Sequence, residues 1–79
     1  MEFSPETIVE NYFKKMGLKV TKMGGRLYKI GDMNVQYVGN QLYKVGNMKL
    51  EYMSGKLYKI GNEKVTYSGF SVRVGSTRL

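Results

Sequence analysis

From residue 18 onward apolar and polar side chains alternate with a period of two, and the alternation comes in copies. Residues 26–40, 41–55 and 56–69 share the pattern x-L-Y-K-[IV]-G-[ND]-x-x-[VL]-x-Y, each copy starting 15 residues after the last. Period two is the mark of half-buried β-strands, and a unit that cannot bury its own apolar face must stack on its neighbours. Ahead of the strands the period changes. Ser4 followed by Pro5 is a helix start, with Glu6 placing negative charge in the first turn. Ile8, Val9, Tyr12, Phe13 and Met16 then form one apolar stripe, opposite Lys14 and Lys15, and Gly17 is suited to end the helix. Glu10 and Lys14 form an i,i+4 pair.

Turn chemistry fixes where strands end. Gly31-Asp32, Gly46-Asn47 and Gly61-Asn62 read as two-residue hairpin turns. Val38-Gly39-Asn40 and Met53-Ser54-Gly55 read as three-residue loops carrying a bulge, because an odd repeat must absorb one extra residue per copy to keep its faces. At the far end Ser68-Gly69 reads as a two-residue turn, the last copy being one loop residue shorter. The expected fold class is therefore α+β, mostly β. An N-terminal helix at about 5–16 packs on a curved antiparallel β-meander of about eight short strands, roughly 18–23, 26–30, 33–38, 41–45, 48–53, 56–60, 63–67 and 70–74, with 76–79 frayed. Residues 1–79 form a single domain, in which 4–17 is a capping helix and 18–75 the hairpin repeats.

Those turns imply a register, with Tyr37 facing Gln41 and Tyr52 facing Lys56. One cross-strand row then holds Val20, Tyr28, Val35, Tyr43, Leu50, Tyr58, Val65 and Val72, and the next holds Leu18, Ile30, Met33, Val45, Met48, Ile60, Glu63 and Val74. The expected helix–sheet core is Ile8, Val9, Tyr12, Phe13, Met16, Val20, Tyr28, Ile30, Val35, Tyr43, Val45, Leu50, Tyr58, Ile60 and Val65. Tyrosines on this face are expected to pack there with their hydroxyls reaching solvent. The reverse face carries Lys19, Lys29, Asn34, Lys44, Lys49, Lys59, Lys64 and Arg73 in one row, beside Leu27, Leu42 and Leu57 among polar residues. One short helix cannot cover so wide an apolar face. The sheet must curl around it, close into a barrel, or pair with a second copy, and repeated bulges favour the curl.

Composition narrows the chemistry. The chain has no cysteine and no histidine, which removes disulfides, thiolate chemistry and the usual zinc ligands. No catalytic residue, metal site, cofactor or small-molecule substrate is expected: Glu2, Glu6 and Glu10 sit on the first part of the helix and Asp32 in a turn, away from any nucleophile. Glu63, where the other repeats have Met33 and Met48, reads as a solvated substitution. The absence of a signal peptide, of a membrane span and of cysteine leads to the expectation of a cytoplasmic protein.

The net charge is +7 and the isoelectric point about 9.7. Basic excess of that size attracts nucleic acid or acidic protein, and Lys19, Lys29, Lys44, Lys49, Lys59, Lys64 and Arg73 are the residues that would hold a polyanion. Duplication alone would also copy one solvent-face lysine into a row. The primary expectation is thus a non-enzymatic β-repeat module for protein interaction or self-association, including a homodimer. Nucleic-acid or other polyanion binding through the basic row is the alternative.

Overall fold

A computed structural model describes residues 4–79; Met1–Phe3, and with them Glu2, lie outside the described residues. Helix α1 (Pro5–Lys15) is followed by β1 (Val20–Met23), β2 (Arg26–Ile30), β3 (Met33–Val38), β4 (Gln41–Val45), β5 (Met48–Met53), β6 (Lys56–Ile60), β7 (Glu63–Ser68), β8 (Ser71–Val74) and β9 (Thr77–Arg78). All nine strands form one open antiparallel sheet in chain order, the meander that the turn pattern predicts.

Both ends of α1 are built locally. Ser4 accepts a hydrogen bond from the Thr7 N–H at 3.2 Å. At the other end the Leu18 N–H reaches the Phe13 carbonyl and the Gly17 N–H the Lys14 carbonyl, both at 3.0 Å, with Gly17 at φ +85. This double bond pattern is the Schellman stop, and it uses Leu18 as part of the cap, so the first strand begins at Val20 and not at residue 18. Glu10 then ties the helix to the sheet: its carboxylate bridges Lys14 at 2.9 Å and Lys22 at 3.0 Å. The two lysine partners hold its pKa below the usual carboxylate value.

The sheet is curled. Nine flat strands would span about 38 Å at ~4.8 Å per step, whereas the molecule measures 30 × 28 × 25 Å. Helix α1, about 10 Å wide and about 16 Å long, touches both β2 and β6, which would lie about 19 Å apart on a flat sheet. Ile8, Val9, Tyr12 and Phe13 are buried between them, meeting Leu27, Ile30, Leu42, Val45, Leu50, Leu57, Ile60, Val65, Val72 and Val74 in one core. Tyr12 and Phe13 meet edge to face, 5.0 Å between centroids.

The extra residue of each repeat sits inside a strand, and this corrects the expected register. Gln36 pairs with Lys44 but Tyr37 pairs with Leu42 and Val38 with Gln41, leaving Tyr43 as a bulge. Tyr28 and Tyr58 are the corresponding bulges at β1/β2 and β5/β6. The connections are therefore two-residue turns, Gly39-Asn40 and Ser54-Gly55, in place of three-residue loops. The bulge reverses the faces beyond it. Leu27, Leu42 and Leu57, expected among polar residues, are 2%, 3% and 1% exposed, while Tyr28, Tyr43 and Tyr58 leave the core row for the outside. Met16 is also exposed, because it is the C-cap residue where the helix ends. Val20 and Val35 pack half-buried at the core margin.

Each bulge has a matching cap. Tyr37, Tyr52 and Tyr67 stay on the inner face and donate their hydroxyls to the carbonyls of Leu27, Leu42 and Leu57 at 2.9, 2.8 and 2.9 Å. Each of these carbonyls belongs to the residue just before a bulge tyrosine, where the ladder is interrupted. The Tyr37 hydroxyl also lies 3.0 Å from a Glu6 carboxylate oxygen of the helix, so its one proton is shared between that oxygen and the Leu27 carbonyl.

The last hairpin departs from the others. Its register is unbroken, with Thr66 on Arg73 and Tyr67 on Val72. Its turn is Gly69-Phe70, so the residue missing from this copy is the bulge tyrosine and not a loop residue. Residues 77–78 do not fray: β9 pairs with β8, Leu79 donates its N–H to the Val72 carbonyl at 2.9 Å, and the Leu79 side chain packs on the core.

Candidate nucleic-acid interface

Outward positions follow from the register. Because each bulge inserts a residue, the outer face is not one straight row but a flight of three-residue steps across the strands. The steps are Thr21–Lys29–Asn34, Gln36–Lys44–Lys49, Glu51–Lys59–Lys64 and Thr66–Arg73–Arg78. Each step begins two residues further along the strand it shares with the last, an offset of about 7 Å at ~3.4 Å per residue. The basic stripe therefore runs obliquely over the sheet.

The steps bring together most of the predicted basic residues. Lys44 opposes Lys49, Lys59 opposes Lys64, and Arg73 opposes Arg78. Lys29 stands alone between Thr21 and Asn34. Lys19 holds the place that Asn34, Lys49 and Lys64 hold in the later copies: its carbonyl takes the Gly31 N–H at 2.7 Å as theirs take the Gly46, Gly61 and Gly75 N–H groups, and it precedes Thr21 by two residues, so it stands at the first end of the stripe. Arg78 is a member that the sequence pattern does not supply, since the alternation reads residues 76–79 as a frayed end. Opposed like charges on neighbouring strands are unfavourable. Glu51, opposite Lys59, is the acid within the steps, and among the described residues the ion pairs are those of Glu10 with Lys14 and Lys22.

The bulges add aromatic rings to this face. Leu27 and Ile30 both point inward with two residues between them, so Tyr28 and Lys29 both point outward, and the same holds for Tyr43-Lys44 and Tyr58-Lys59. Tyr28 is 46% and Tyr43 38% exposed. Lys64 lies over the Tyr58 ring, 6.0 Å from its centroid, at the outer limit of a cation–π contact. The inner tyrosines differ in kind. Tyr37 and Tyr67 are overlain at the sheet margin by Arg26 and Lys56, at 4.0 and 5.2 Å. Burial raises the pKa of Tyr12, Tyr37 and Tyr67, and pushes Tyr52 up to about 12 with help from the Glu6 carboxylate.

The turns make a further pattern. Met33 lies against Gly46 so closely that a Cβ there would sit 2.9 Å from its side chain, and Met48 lies similarly on Gly61. Glu63 occupies the same place over Gly75, which accounts for its position: it is exposed, at the end of the ladder that Leu18, Met33 and Met48 begin. No group of three or more metal-ligating side chains occurs among the described residues, and no described helix is long and apolar enough to cross a membrane.

The fold and this face define a mostly β repeat protein: hairpins of 15 residues wrapped on one helix, with a stepped basic and tyrosine-bearing exterior. No known protein family matches the chain, and no characterised protein or solved structure is significantly similar to it.

Proposed function

We propose that the protein is a non-enzymatic binder of single-stranded nucleic acid and that its outer face is the binding surface, in a cytoplasmic setting. The observation that carries this reading is the presence of the bulge tyrosines Tyr28, Tyr43 and Tyr58 on the same face as the lysine pairs. Cations alone would serve any polyanion, and duplication alone would have produced them. Exposed rings interleaved with cations are what an unpaired strand uses, its bases stacking on aromatic faces while its phosphates meet lysine and arginine. An oblique stripe is open at both ends and suits a chain passing across it.

The test is fluorescence anisotropy with a labelled single-stranded oligonucleotide at two salt concentrations. Affinity falls steeply with salt, and K44Q/K49Q/K59Q/K64Q lowers the slope by about 0.7 for each phosphate that is no longer neutralised. Y43A/Y58A weakens binding by about 1–3 kcal/mol per stacked base while leaving the slope unchanged. Absence of binding at low salt, or indifference to both sets of substitutions, refutes the reading.

A second reading rests on a different observation. Met23, Val38 and Met53 stand at successive turns along one rim, with Phe70 at the next, and all four are more than half exposed. Large apolar side chains gathered along an edge fit protein interaction or self-association. Sedimentation velocity over a range of concentrations tests it: a homodimer dissociated by M53S/F70S supports it, and a monomer throughout removes self-association.

A further inference from the structure

The outer face is repetitive except at its last step, and the departures there share one chemistry. Positions held by Gln36, Val38 and Gln41 in one copy, and by Glu51, Met53 and Lys56 in the next, are held by Thr66, Ser68 and Ser71 in the last. Positions held by Lys44 and Lys49, then Lys59 and Lys64, are held by Arg73 and Arg78. The bulge tyrosine is deleted, so no ring stands between the hydroxyls and the cations. These five side chains line a concave site of about 450 Å³. The acid of the preceding step, Glu51, is replaced by Thr66, and neither arginine is in an ion pair with a described residue.

Copying a repeat explains shared residues and cannot explain these differences. Lysine would satisfy a solvated face equally well. Arginine presents a planar fork that takes two oxygens of one phosphate, and two forks on adjacent strands flanked by three small hydroxyl donors form a set of hydrogen-bond donors around one anion. Direct opposition of Arg73 and Arg78 is unfavourable by itself and becomes favourable once a dianion lies between them.

We propose that Thr66, Ser68, Ser71, Arg73 and Arg78 form a phosphate-binding site, distinct from the lysine and tyrosine steps, that accepts a phosphomonoester. Two sources offer that group: a small phosphorylated molecule, or the terminal phosphate of a nucleic-acid strand lying on the outer face. The site itself stands without the strand-binding reading; only the second source rests on it.

The experiment is amide chemical-shift titration of the full chain with inorganic phosphate, repeated with 5′-phosphorylated and unphosphorylated versions of one short oligonucleotide. Saturable shifts confined to residues 66–78 are expected with phosphate, weakened about tenfold or more in R73Q/R78Q. R73K/R78K keeps the charge but removes the forks, and is expected to bind more weakly than wild type. Both variants must retain the wild-type dispersion elsewhere in the spectrum. Tighter binding of the phosphorylated oligonucleotide, abolished in R73Q/R78Q, supports the site and assigns it to strand ends. Equal binding of the two oligonucleotides, with phosphate still saturable, supports it and assigns it to a small molecule. Non-saturable shifts, or shifts spread equally over Lys44, Lys49, Lys59 and Lys64, overturn the proposal and leave the strand-binding reading standing. Saturable phosphate binding with no affinity for either oligonucleotide keeps the site and removes that reading.

Discussion

The hydroxyl of Tyr52 donates to the backbone carbonyl of Leu42 at 2.8 Å, spanning ten residues of sequence and one bulge. The contact joins two things that each repeat must do: bury a large ring on the inner face, and satisfy the carbonyl that the bulge takes out of the ladder. Y52F keeps the ring and removes the donor, so unfolding free energy should fall by about 1 kcal/mol. Urea denaturation followed by circular dichroism measures it, the chain having no tryptophan to report. A change below about 0.3 kcal/mol would mean that water serves the carbonyl equally well.

The same ring carries a pH dependence. The Tyr52 pKa lies at about 12 in the fold, against about 10 in the unfolded chain, so the folded state holds the phenolic proton more tightly. Its contribution is fully present below about pH 10 and is lost as pH rises from about 10 towards 12. Tyr12, Tyr37 and Tyr67 shift in the same direction. Urea midpoints should fall as pH rises from about 9.5 to about 11.5, and fall less in Y52F; parallel losses in the two proteins would contradict this assignment.

Leu42 and Tyr43 are neighbours with opposite roles. Leu42 is 3% exposed in the core and Tyr43 stands on the outer face. L42A should cost about 2–5 kcal/mol through the cavity it leaves, whereas Y43A should change stability by less than about 1 kcal/mol. Deleting Tyr43 is a third case. It restores strict alternation through Leu42, Lys44 and Val45, as in Val72-Arg73-Val74, and removes a source of twist. The deleted form should fold with a flatter sheet and bind a hydrophobic dye more strongly than the wild type does. If dye binding and stability are both unchanged, the bulge is not what curves the sheet.

Gly46 and Gly39 separate two costs of adding a methyl group. Both have positive φ, +59 and +64, but a Cβ meets the Met33 side chain at Gly46 and nothing within 4 Å at Gly39. G39A should lose about 1–2 kcal/mol from the left-handed backbone alone, and G46A about 1–3 kcal/mol beyond that from the overlap. Pairing G46A with M33A should recover the second part. Equal losses at both glycines would assign the effect wholly to the backbone.

The helix, the turns after Ile30, Val45 and Ile60, and the order of the sheet are legible in the sequence because each rests on a local rule: Ser-Pro starts, Gly-Asp and Gly-Asn turns, and alternation between them. What is not legible is the place of the extra residue. A three-residue loop at Val38-Gly39-Asn40 and an in-strand bulge at Tyr43 absorb an odd repeat equally well, and they differ by which of Leu42 and Tyr43 faces inward. A contact ten residues apart in sequence, Tyr52 to Leu42, favours the bulge, and no local propensity encodes it. One signal is present in the last copy. Ser68-Gly69-Phe70-Ser71 keeps the length of Met53-Ser54-Gly55-Lys56, while Val72-Arg73-Val74 is one residue shorter than Leu57-Tyr58-Lys59-Ile60. The expendable residue is therefore in the strand. The basic face inherits the same ambiguity: alternation places its lysines correctly on the outside, but sets them in a straight row and deprives them of their tyrosines.

Helix α1, about 16 Å long by its eleven residues, acts as a gauge for the number of hairpins. Its apolar residues Ile8, Val9, Tyr12 and Phe13 are all buried in the shared core, and it touches β1, β2 and β6, so the filler and not the repeat sets how much inner face is covered. A chain with one more 15-residue unit would gain two strands and no additional stripe to cover them. Covering those strands would take a longer apolar stripe on the helix as well as another copy of the repeat.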